Sequence, residues 1–286
     1  MTEHAAATQS GLHIVAQHVA LLQQHGLDTL EALCDSDLGE SLTKPGLANW
    51  RERIRIQLDA PGGPKTLFLK RFRPPPAARR RAIRASGLKV RSMAEIEWAW
   101  MHALADDGIP AVRPVALGAA LNGKRESCSL ILAEAVPGRS LEQWSKTWIA
   151  DSTRFPRSLL ATTSALVARF HACGYVHRDL YLAHLFFDPD APAEDALHLI
   201  DLQRVMKPHW RQRRWIVKDI ASLNYSTPRA LVSQTDRMRW LKTYLGADRI
   251  EAKAKRFVRL VVAKSRQIGR HDRRRSRRLA KGLESS

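Results

Sequence analysis

The chain has 286 residues, 44% of them hydrophobic, which is enough to bury the core of one large two-lobed domain or of two small ones. Lys and Arg number 47 against 28 Asp and Glu, and the formal charge of +19 predicts a surface that attracts nucleic acid, anionic membrane or anionic small molecules. The three cysteines form no C-x-x-C pair, so a disulfide framework and a zinc site are disfavoured and a reducing cytoplasm is expected.

The first 42 residues are predicted to form a helical extension. Apolar side chains at helical spacing predict one helix over residues 12–25 and a short second helix over 27–34. No basic region leads into an apolar run before them, so a signal peptide is not expected. No stretch approaches the roughly 18 apolar residues that cross a bilayer, so any membrane contact is expected to be peripheral.

A β-hairpin is predicted next. Apolar and basic residues alternate over 50–58, as on a half-buried strand, and a return strand follows over 66–72 after a Pro- and Gly-rich turn. Ser92 with Glu95 three positions later is a capping box, which predicts a helix over 92–104. The remaining predicted elements, in chain order, are a loop then a strand over 105–117, a strand at 129–136, helices at 140–150 and 159–170, strands at 185–187 and 197–202, and helices at 216–223, 236–244 and 248–267.

This order of elements predicts an α+β fold of two unequal lobes with a cleft between them, because strands dominate the first half and helices the second. We expect a small N-lobe, an antiparallel sheet with one helix, over residues 43–134. A larger helical C-lobe is expected over 135–268, followed by a basic, disordered tail over 269–286.

The stretch 175–204 carries the strongest chemical signal. Phosphoryl transfer needs one carboxylate to take a hydroxyl proton and another to hold Mg²⁺ against the nucleotide phosphates, and protein kinases place them as H-R-D-x-x-x-x-N followed by D-F-G. Here His177, Arg178 and Asp179 match the first motif, and Asp201 ends an apolar run as the second carboxylate. We therefore predict Asp179 as catalytic base within the His177-Arg178-Asp179 motif and Asp201 as principal Mg²⁺ ligand, rather than a surface aspartate and a strand-end cap.

Two further residues are expected to support this loop. His184 stands where protein kinases carry the Asn that binds a second metal ion. Hard cations prefer oxygen ligands, so three roles stay open for His184: it binds a metal, contacts phosphate or only supports the loop. Asp219, on a predicted helix, is interpreted as a structural brace for the loop backbone.

The nucleotide side of the site is predicted from the first half. Lys70 matches the strand lysine that holds the α- and β-phosphates of ATP, although an ordinary edge-strand lysine would look similar. Its carboxylate partner is expected on the following helix, where Glu95 is explained by capping and Glu97 is therefore preferred. Glu134 and Val136 lie in the predicted linker between lobes, where backbone groups of kinases pair with adenine.

A glycine-rich loop over the nucleotide is not evident. Residues 44–52 contain one glycine, Gly46, and no G-x-G-x-x-G pattern. The sequence GGPKT superficially suggests a P-loop, but that motif requires Gly directly before Lys, and Pro64 occupies the position.

Several segments together resemble the lipopolysaccharide core kinases, the heptose and Kdo kinase family with a protein-kinase-like fold. In that family a His at the position of His184 is expected, unlike in protein kinases. The resemblance runs from about residue 44 to 244 and is more specific for the family than for the acceptor sugar. The segments are TLFLKRF (66–72), EWAWMHALADDGIPAVRPVALG (97–118), HRDLYLAHLFFD (177–188), LIDLQR (199–204) and RRWIVKDIASLNYST (213–227).

The resemblance implies ATP-dependent phosphorylation of a heptose or Kdo hydroxyl in the inner core of lipopolysaccharide, with ATP and Mg²⁺ as cofactors, at the cytoplasmic face of the inner membrane. It also offers a reason for the charge, because residues 71–91 and 251–286 supply +18 of the +19. We expect an anionic lipid-linked glycan as substrate and peripheral contact with anionic membrane through 71–91 and 251–281, at about 1 kcal/mol per basic residue near the surface. A merely solvated basic face is the alternative.

Other functions stay open. Nucleic acid binding is disfavoured, because aromatic residues do not interleave with the run RRRSRR and no nucleic-acid-binding module is present. A kinase that acts on a protein or on another small molecule would share the same motifs. A kinase-fold binding or scaffold protein of low activity is favoured by the missing glycine-rich loop and opposed by Lys70, Asp179 and Asp201.

Overall fold

The structure, a computed structural model, divides the chain into two compact units: Met1–Val136 with Asp201–Gln203, and Pro137–Ile200 with Arg204–Ser286. The segment around Gly46 and the basic run that includes Arg79, Arg80 and Arg84 lie outside the described residues, so the expectations for them stay predictions. The described residues are 7–9, 11–35, 37–42, 50–74, 76, 83, 87–122 and 125–283.

An antiparallel sheet organises the first unit. Its strands are β1 (Ala7–Gln9), β2 (Leu12–Ile14), β3 (Glu40–Ser41), β4 (Arg51–Leu58), β5 (Lys65–Phe72), β6 (Pro114–Asn122) and β7 (Arg125–Glu134). They are joined in the order β1-β2-β6-β7-β5-β4-β3, so that β5 lies between β4 and β7. The pairing of β4 with β5 confirms the predicted hairpin, with apolar Ile54, Ile56 and Leu58 buried on one face of β4.

Among its described residues this unit has the helices α1 (Val19–Gln24), α2 (Leu30–Asp35) and α3 (Met93–Asp106). The hydroxyl of Ser92 accepts the backbone N–H of Glu95 at 3.2 Å, which confirms the predicted cap of α3. Strand β7 anchors the same helix end, because Glu126 accepts the N–H of Met93 and Ser129 accepts the N–H of Ala94. The first turn of α3 is therefore fixed to the sheet.

The predicted helical extension over residues 1–42 is wrong in its first part. Residues 12–14 form β2 and pair with β6, with Leu12 opposite Gly118 and Ile14 opposite Ala116. The apolar alternation of Leu12 and Ile14 fits a strand that buries one face, and pairing with β6 supplies the hydrogen-bond partners that an isolated strand would lack. The side chains of Leu12, Ile14 and Leu22 lie in one core with those of β4 and β5, so this segment is part of the unit.

Truncation of Leu22 on α1 tests this assignment. We expect Leu22→Ala to lower the free energy of unfolding by about 2–5 kcal/mol, the usual cost of a cavity in a packed core, because Leu22 is fully buried. Chemical denaturation followed by circular dichroism measures the change. Gln23→Ala, on the exposed side of the same helix, is the control. Equal stability of the two variants would show that the segment does not pack into the core.

Two cysteines that are 94 positions apart in sequence meet in this unit. The thiol sulfur of Cys34 on α2 lies 2.6 Å from that of Cys128 on β7. Both are free thiols, as is Cys173 in the second unit. No local sequence pattern predicts this contact, because only the packing of α2 against β7 brings the two residues together.

The second unit is mainly helical. Its elements are β8 (Arg139–Ser140), α4 (Leu141–Ala150), α5 (Arg157–Ala172), β9 (Leu185–Phe187), β10 (Leu197–Leu199), α6 (Gln212–Ser226), α7 (Gln234–Leu245) and α8 (Ala252–Leu283). The small sheet has the order β10-β9-β8, and β9 pairs with β10 across the predicted turn. A capping box formed by Ser140 and Gln143 starts α4, close to the predicted helix start.

The expectation of a disordered tail from Gly269 is also wrong for the described residues, because α8 continues to Leu283. The helix packs along α6 and buries the side chains of Phe257 and Val261. A polar contact extends this packing beyond the apolar part, since the Tyr225 hydroxyl donates to Asp272 at 2.7 Å. Within the described residues no helix combines the length and apolar character that crossing a bilayer requires.

Candidate active site

Lys70, Glu97 and Asp201 form a charged cluster in the first unit. The Nζ atom of Lys70 lies 2.6 Å from Oε1 of Glu97 and 3.2 Å from Oδ1 of Asp201. The carboxylate of Glu97 is fully buried and also accepts the backbone N–H of Leu202 at 3.3 Å. The structure thus brings together three of the residues predicted from the sequence. Glu97 is the carboxylate that pairs with Lys70, whereas Glu95 accepts the N–H of Arg91 at the start of α3.

The local sequence explains this arrangement. On β5 the side chains of Leu67 and Leu69 are buried in the core, and the alternation of the strand places Lys70 on the opposite face. Glu97 lies one turn beyond the anchored start of α3. Asp201 has a φ of +59°, a left-handed backbone that is uncommon for residues other than glycine and is often found at functional sites.

The charges keep Lys70 protonated. Burial acts to lower the pKa of Lys70, but the carboxylates of Glu97 and Asp201 outweigh it, and the pKa lies above its usual value. Arg53 on β4 adds a second cation, 3.5 Å from Oδ2 of Asp201. A negatively charged ligand that approached Asp201 would therefore meet two fixed cations.

In the second unit, Asp219 on α6 braces the predicted catalytic loop. Its fully buried carboxylate accepts the backbone N–H of His177 at 2.6 Å and that of Arg178 at 2.7 Å. Arg178 has a φ of +70°, so the two hydrogen bonds hold a strained backbone next to Asp179. The structural role predicted for Asp219 is confirmed in this geometry.

Removal of this brace tests its role in stability. We expect Asp219→Ala to lower the free energy of unfolding by about 2–5 kcal/mol, because two buried N–H donors lose a charged acceptor. Denaturant unfolding measures the loss, and Asp248→Ala, at an exposed loop aspartate, is expected to stay within about 0.5 kcal/mol of the unmodified protein. If Asp219→Ala were as stable as Asp248→Ala, the loop would not depend on these hydrogen bonds.

Two cations hold the carboxylate of Asp179. One terminal nitrogen of Arg204 donates to both of its oxygens, at 2.6 and 2.9 Å, and Nζ of Lys218 lies 3.5 Å from Oδ1. Lys218 also donates to the backbone carbonyl of Arg178. Burial lowers the pKa of Lys218, although Asp179 acts in the opposite direction. Sequence reasoning missed both cations; for Lys218 the available signal was its position directly before the brace Asp219.

The two histidines of the loop stack on each other, with ring centroids 5.7 Å apart. Nδ1 of His184 donates to the backbone carbonyl of Asp179 at 2.7 Å, and Nε2 of His177 donates to the carbonyl of Ile200 at 3.0 Å. Of the three roles left open for His184, this geometry directly shows loop support. Among the described residues no group of three or more His, Cys, Asp and Glu side chains could hold a metal ion.

The two predicted linker residues lie at the end of β7. The N–H of Glu134 donates to the carbonyl of Arg113 at 3.0 Å, and its carboxylate lies 3.4 Å from Nε2 of the buried His18. Burial lowers the pKa of His18, against the opposing effect of Glu134. The adenine-pairing roles of Glu134 and Val136 stay predictions.

Comparison with known proteins decides which family carries this set of residues. A model of the lipopolysaccharide kinase (Kdo/WaaP) family matches residues 79–244, more than half of the chain. The chain belongs to this family. Membership of this kinase family implies the use of ATP.

Relatives of the chain within the Kdo/WaaP family include lipopolysaccharide core heptose(I) kinases named WaaP. The chain is 31% identical over 159 residues to the protein of Escherichia coli, which covers 54% of this chain and 60% of that protein. It is 30% identical over 154 residues to the protein of Pseudomonas aeruginosa, with 52% and 58% covered. The matches thus span about three fifths of the relatives' length.

The fold agrees with this membership. A solved structure described as WaaP in complex with acyl carrier protein superimposes with a TM-score of 0.67 and 23% sequence identity. The match covers 90% of this chain and 98% of that chain. This confirms the kinase-like α+β fold of the Kdo/WaaP family for the chain.

Proposed function

We propose that the protein is an ATP-dependent kinase that phosphorylates a sugar hydroxyl, heptose or Kdo, in the inner core of lipopolysaccharide. The observation that carries the proposal is the cluster of Lys70, Glu97 and Asp201 in a member of the Kdo/WaaP family. A lysine held by a helix carboxylate beside a second carboxylate is the arrangement with which kinases bind nucleotide phosphates.

Each residue of this cluster has a role in the proposed mechanism. Lys70 contacts the phosphates of ATP, and Glu97 fixes its position through the 2.6 Å ion pair. Asp201 is the protein carboxylate for Mg²⁺, which commonly uses one or two protein carboxylates together with phosphate oxygens and water. When bound, Mg²⁺ neutralises charge on the transferred phosphoryl group.

The loop of the second unit supplies the acceptor chemistry. Asp179 orients the sugar hydroxyl and takes its proton, while Arg204 and Lys218 hold the carboxylate in one orientation. Most of the rate enhancement is expected from positioning and charge neutralisation, because the transition state of phosphoryl transfer is loose. His177 and Arg178 act through the loop backbone, and His184 supports that backbone.

Among the two sugars, heptose is the first candidate acceptor, because the curated relatives are heptose(I) kinases. The lipid-linked core glycan is made at the cytoplasmic face of the inner membrane, so we propose peripheral action there. The basic residues of α8 would attract anionic lipid. Those of 71–91 lie only partly within the described residues and are proposed to assist.

An acyl carrier protein is a second proposed partner, suggested by the description of the matching WaaP structure. In the second unit, a cavity of about 740 Å³ lies between apolar side chains that include Leu223 and Phe257. Three arginines of α8, Arg266, Arg270 and Arg273, line it as well. We expect the purified protein to co-elute with acylated carrier protein, and Arg→Glu replacement of all three to abolish this. Separate elution of the unmodified pair would reject the partner.

A transfer assay tests the proposed function. The purified protein is incubated with γ-labelled ATP, Mg²⁺ and core glycan prepared from a strain that lacks core phosphates. We expect label on a core sugar with the unmodified protein and, at equal reaction time, about a hundredfold less or lower still with Asp179→Asn. Absence of transfer to any core glycan, with ATP binding intact, would favour a kinase-fold binding protein. Transfer of the label only to a protein would show that the chain acts as a protein kinase instead.

A further inference from the structure

Trp210 is the most exposed large hydrophobic residue in the described part of the chain, with 73% of its surface accessible. It lies in the loop before α6, in the same unit as Asp179. The guanidinium of Arg211 lies over its indole ring, 4.1 Å from the centroid. A single exposed apolar residue needs no explanation, but a tryptophan is costly to expose and is enriched at binding surfaces.

Basic residues surround this tryptophan along the chain. The segment 204–218 contains six Lys and Arg and no acidic residue. A second tryptophan, Trp215 on α6, has two guanidinium groups over its ring, that of Arg214 from this segment at 5.4 Å and that of Arg178 from the loop before Asp179 at 5.0 Å. Arginines that lie over indole rings keep charge and aromatic surface side by side, and their donors suit phosphate and carboxylate groups.

The surface is connected directly to the predicted base. Arg178, which lies over Trp215, immediately precedes Asp179, and its backbone N–H is fixed by Asp219. Arg204, at the start of the segment, is ion-paired with Asp179. A ligand that contacted both Arg204 and Trp215 would therefore lie close to the carboxylate that takes the acceptor proton.

From these contacts we infer that Trp210, Arg211, Arg214 and Trp215 form the acceptor subsite, which binds an anionic oligosaccharide. The indole of Trp210 stacks on the apolar face of a sugar ring, and the arginines pair with phosphate or carboxylate groups on that sugar or its neighbours. The inference deepens the proposed function and rests on it for the identity of the reaction. Trp210 and Arg211 lie outside the segments that carry the family resemblance, and the sequence predicts no role for Arg214 or Trp215.

Kinetics with a lipid-free core oligosaccharide separate this role from others. We expect Trp210→Ala and Arg211→Ala each to raise KM for the glycan about tenfold, the effect of losing one well-placed contact. KM for ATP and the slow hydrolysis of ATP without glycan are expected to change less than twofold. Trp210→Tyr keeps a stacking ring and is expected to recover most of the affinity, while Arg249→Ala, at an exposed loop position, serves as the charge control.

Glycan affinity that does not depend on this surface would overturn the inference. If the unmodified protein transfers phosphate but the Trp210 and Arg211 variants keep the same KM for the lipid-free glycan, the surface does not bind the acceptor. If those variants lose only binding to anionic vesicles, it is a membrane contact instead. If no transfer occurs at all, the proposed function fails, and calorimetric titration of the glycan still decides: equal binding by the unmodified protein and Trp210→Ala, or no binding, rejects the subsite.

Discussion

Asp179→Asn is expected to lower kcat for phosphoryl transfer to core glycan by about 10²–10⁴-fold, the usual contribution of a general base. Asparagine keeps the size of the side chain but cannot take the proton of the sugar hydroxyl. It also loses the ion pairs with Arg204 and Lys218, which hold the carboxylate from two sides. Initial rates at saturating ATP and glycan measure the effect.

Nucleotide binding provides the control for this variant. The residues proposed to hold ATP belong to a different cluster, so Asp179→Asn is expected to bind a non-hydrolysable ATP analogue within about twofold of the unmodified protein. Asp190→Asn, at an exposed position of the turn between β9 and β10, should leave kcat unchanged. A kcat for Asp179→Asn within tenfold of that of the unmodified protein would show that Asp179 is not the catalytic base.

Lys70→Met is expected to reduce kcat/KM for ATP by about 10²–10³-fold, comparable to the loss of one preorganised charge donor at a transition state. Methionine retains the length of the side chain but provides no charge for the phosphates. Glu97→Gln should give a smaller loss, of about tenfold, because Lys70 stays cationic but loses its fixed orientation. Steady-state kinetics with varied ATP measure both.

The neighbouring surface offers a matched control. Lys65→Met changes a lysine of the same strand that is exposed, and it is expected to alter kcat/KM for ATP less than twofold. Because the raised pKa keeps Lys70 protonated at neutral pH, no loss of activity from its titration is expected between pH 6 and about 9. Equal kinetics for Lys70→Met and Lys65→Met would contradict the assignment.

The local parts of the fold could be predicted from the sequence. The hairpin of β4 and β5 followed from strict alternation, and the start of α3 followed from Ser92 and Glu95, because these signals act within a few residues. Residues 12–14 were predicted as helix because short apolar runs fit both periods. Their strand forms only through pairing with β6, about a hundred positions later.

The candidate site likewise contains residues that local sequence signals predict and residues that only long-range packing places. Lys70, Asp179 and Asp201 carry motif signals. Glu97 is predictable because helix capping explains Glu95 and leaves Glu97 as the partner of Lys70. Lys218 lies 39 positions from Asp179 and approaches it only because Asp219 fixes α6 to the loop. A contact set by helix packing leaves no local pattern of its own, and the position of Lys218 directly before Asp219 is only an indirect signal of its contact with Asp179.

The helix α8 shows how a charge pattern can mislead. Blocks of like charge are usually disordered, and the basic run after Gly269 fits that rule. The structure extends the helix through it; Ile268 packs against the apolar cluster shared with α6, and Tyr225 donates to Asp272. Apolar packing at the start of α8 and one polar contact further along thus accompany a helix where the charge pattern predicts disorder.

The central claim is that this protein adds phosphate to the inner core of lipopolysaccharide. Mass spectrometry of core oligosaccharide from a deletion strain, carrying either the unmodified gene or Asp179→Asn, tests it most directly. We expect the deletion strain and the Asp179→Asn strain to lack one phosphate group on a heptose or Kdo, and the unmodified gene to restore it. An unchanged phosphate count in the core of the deletion strain would contradict the claim.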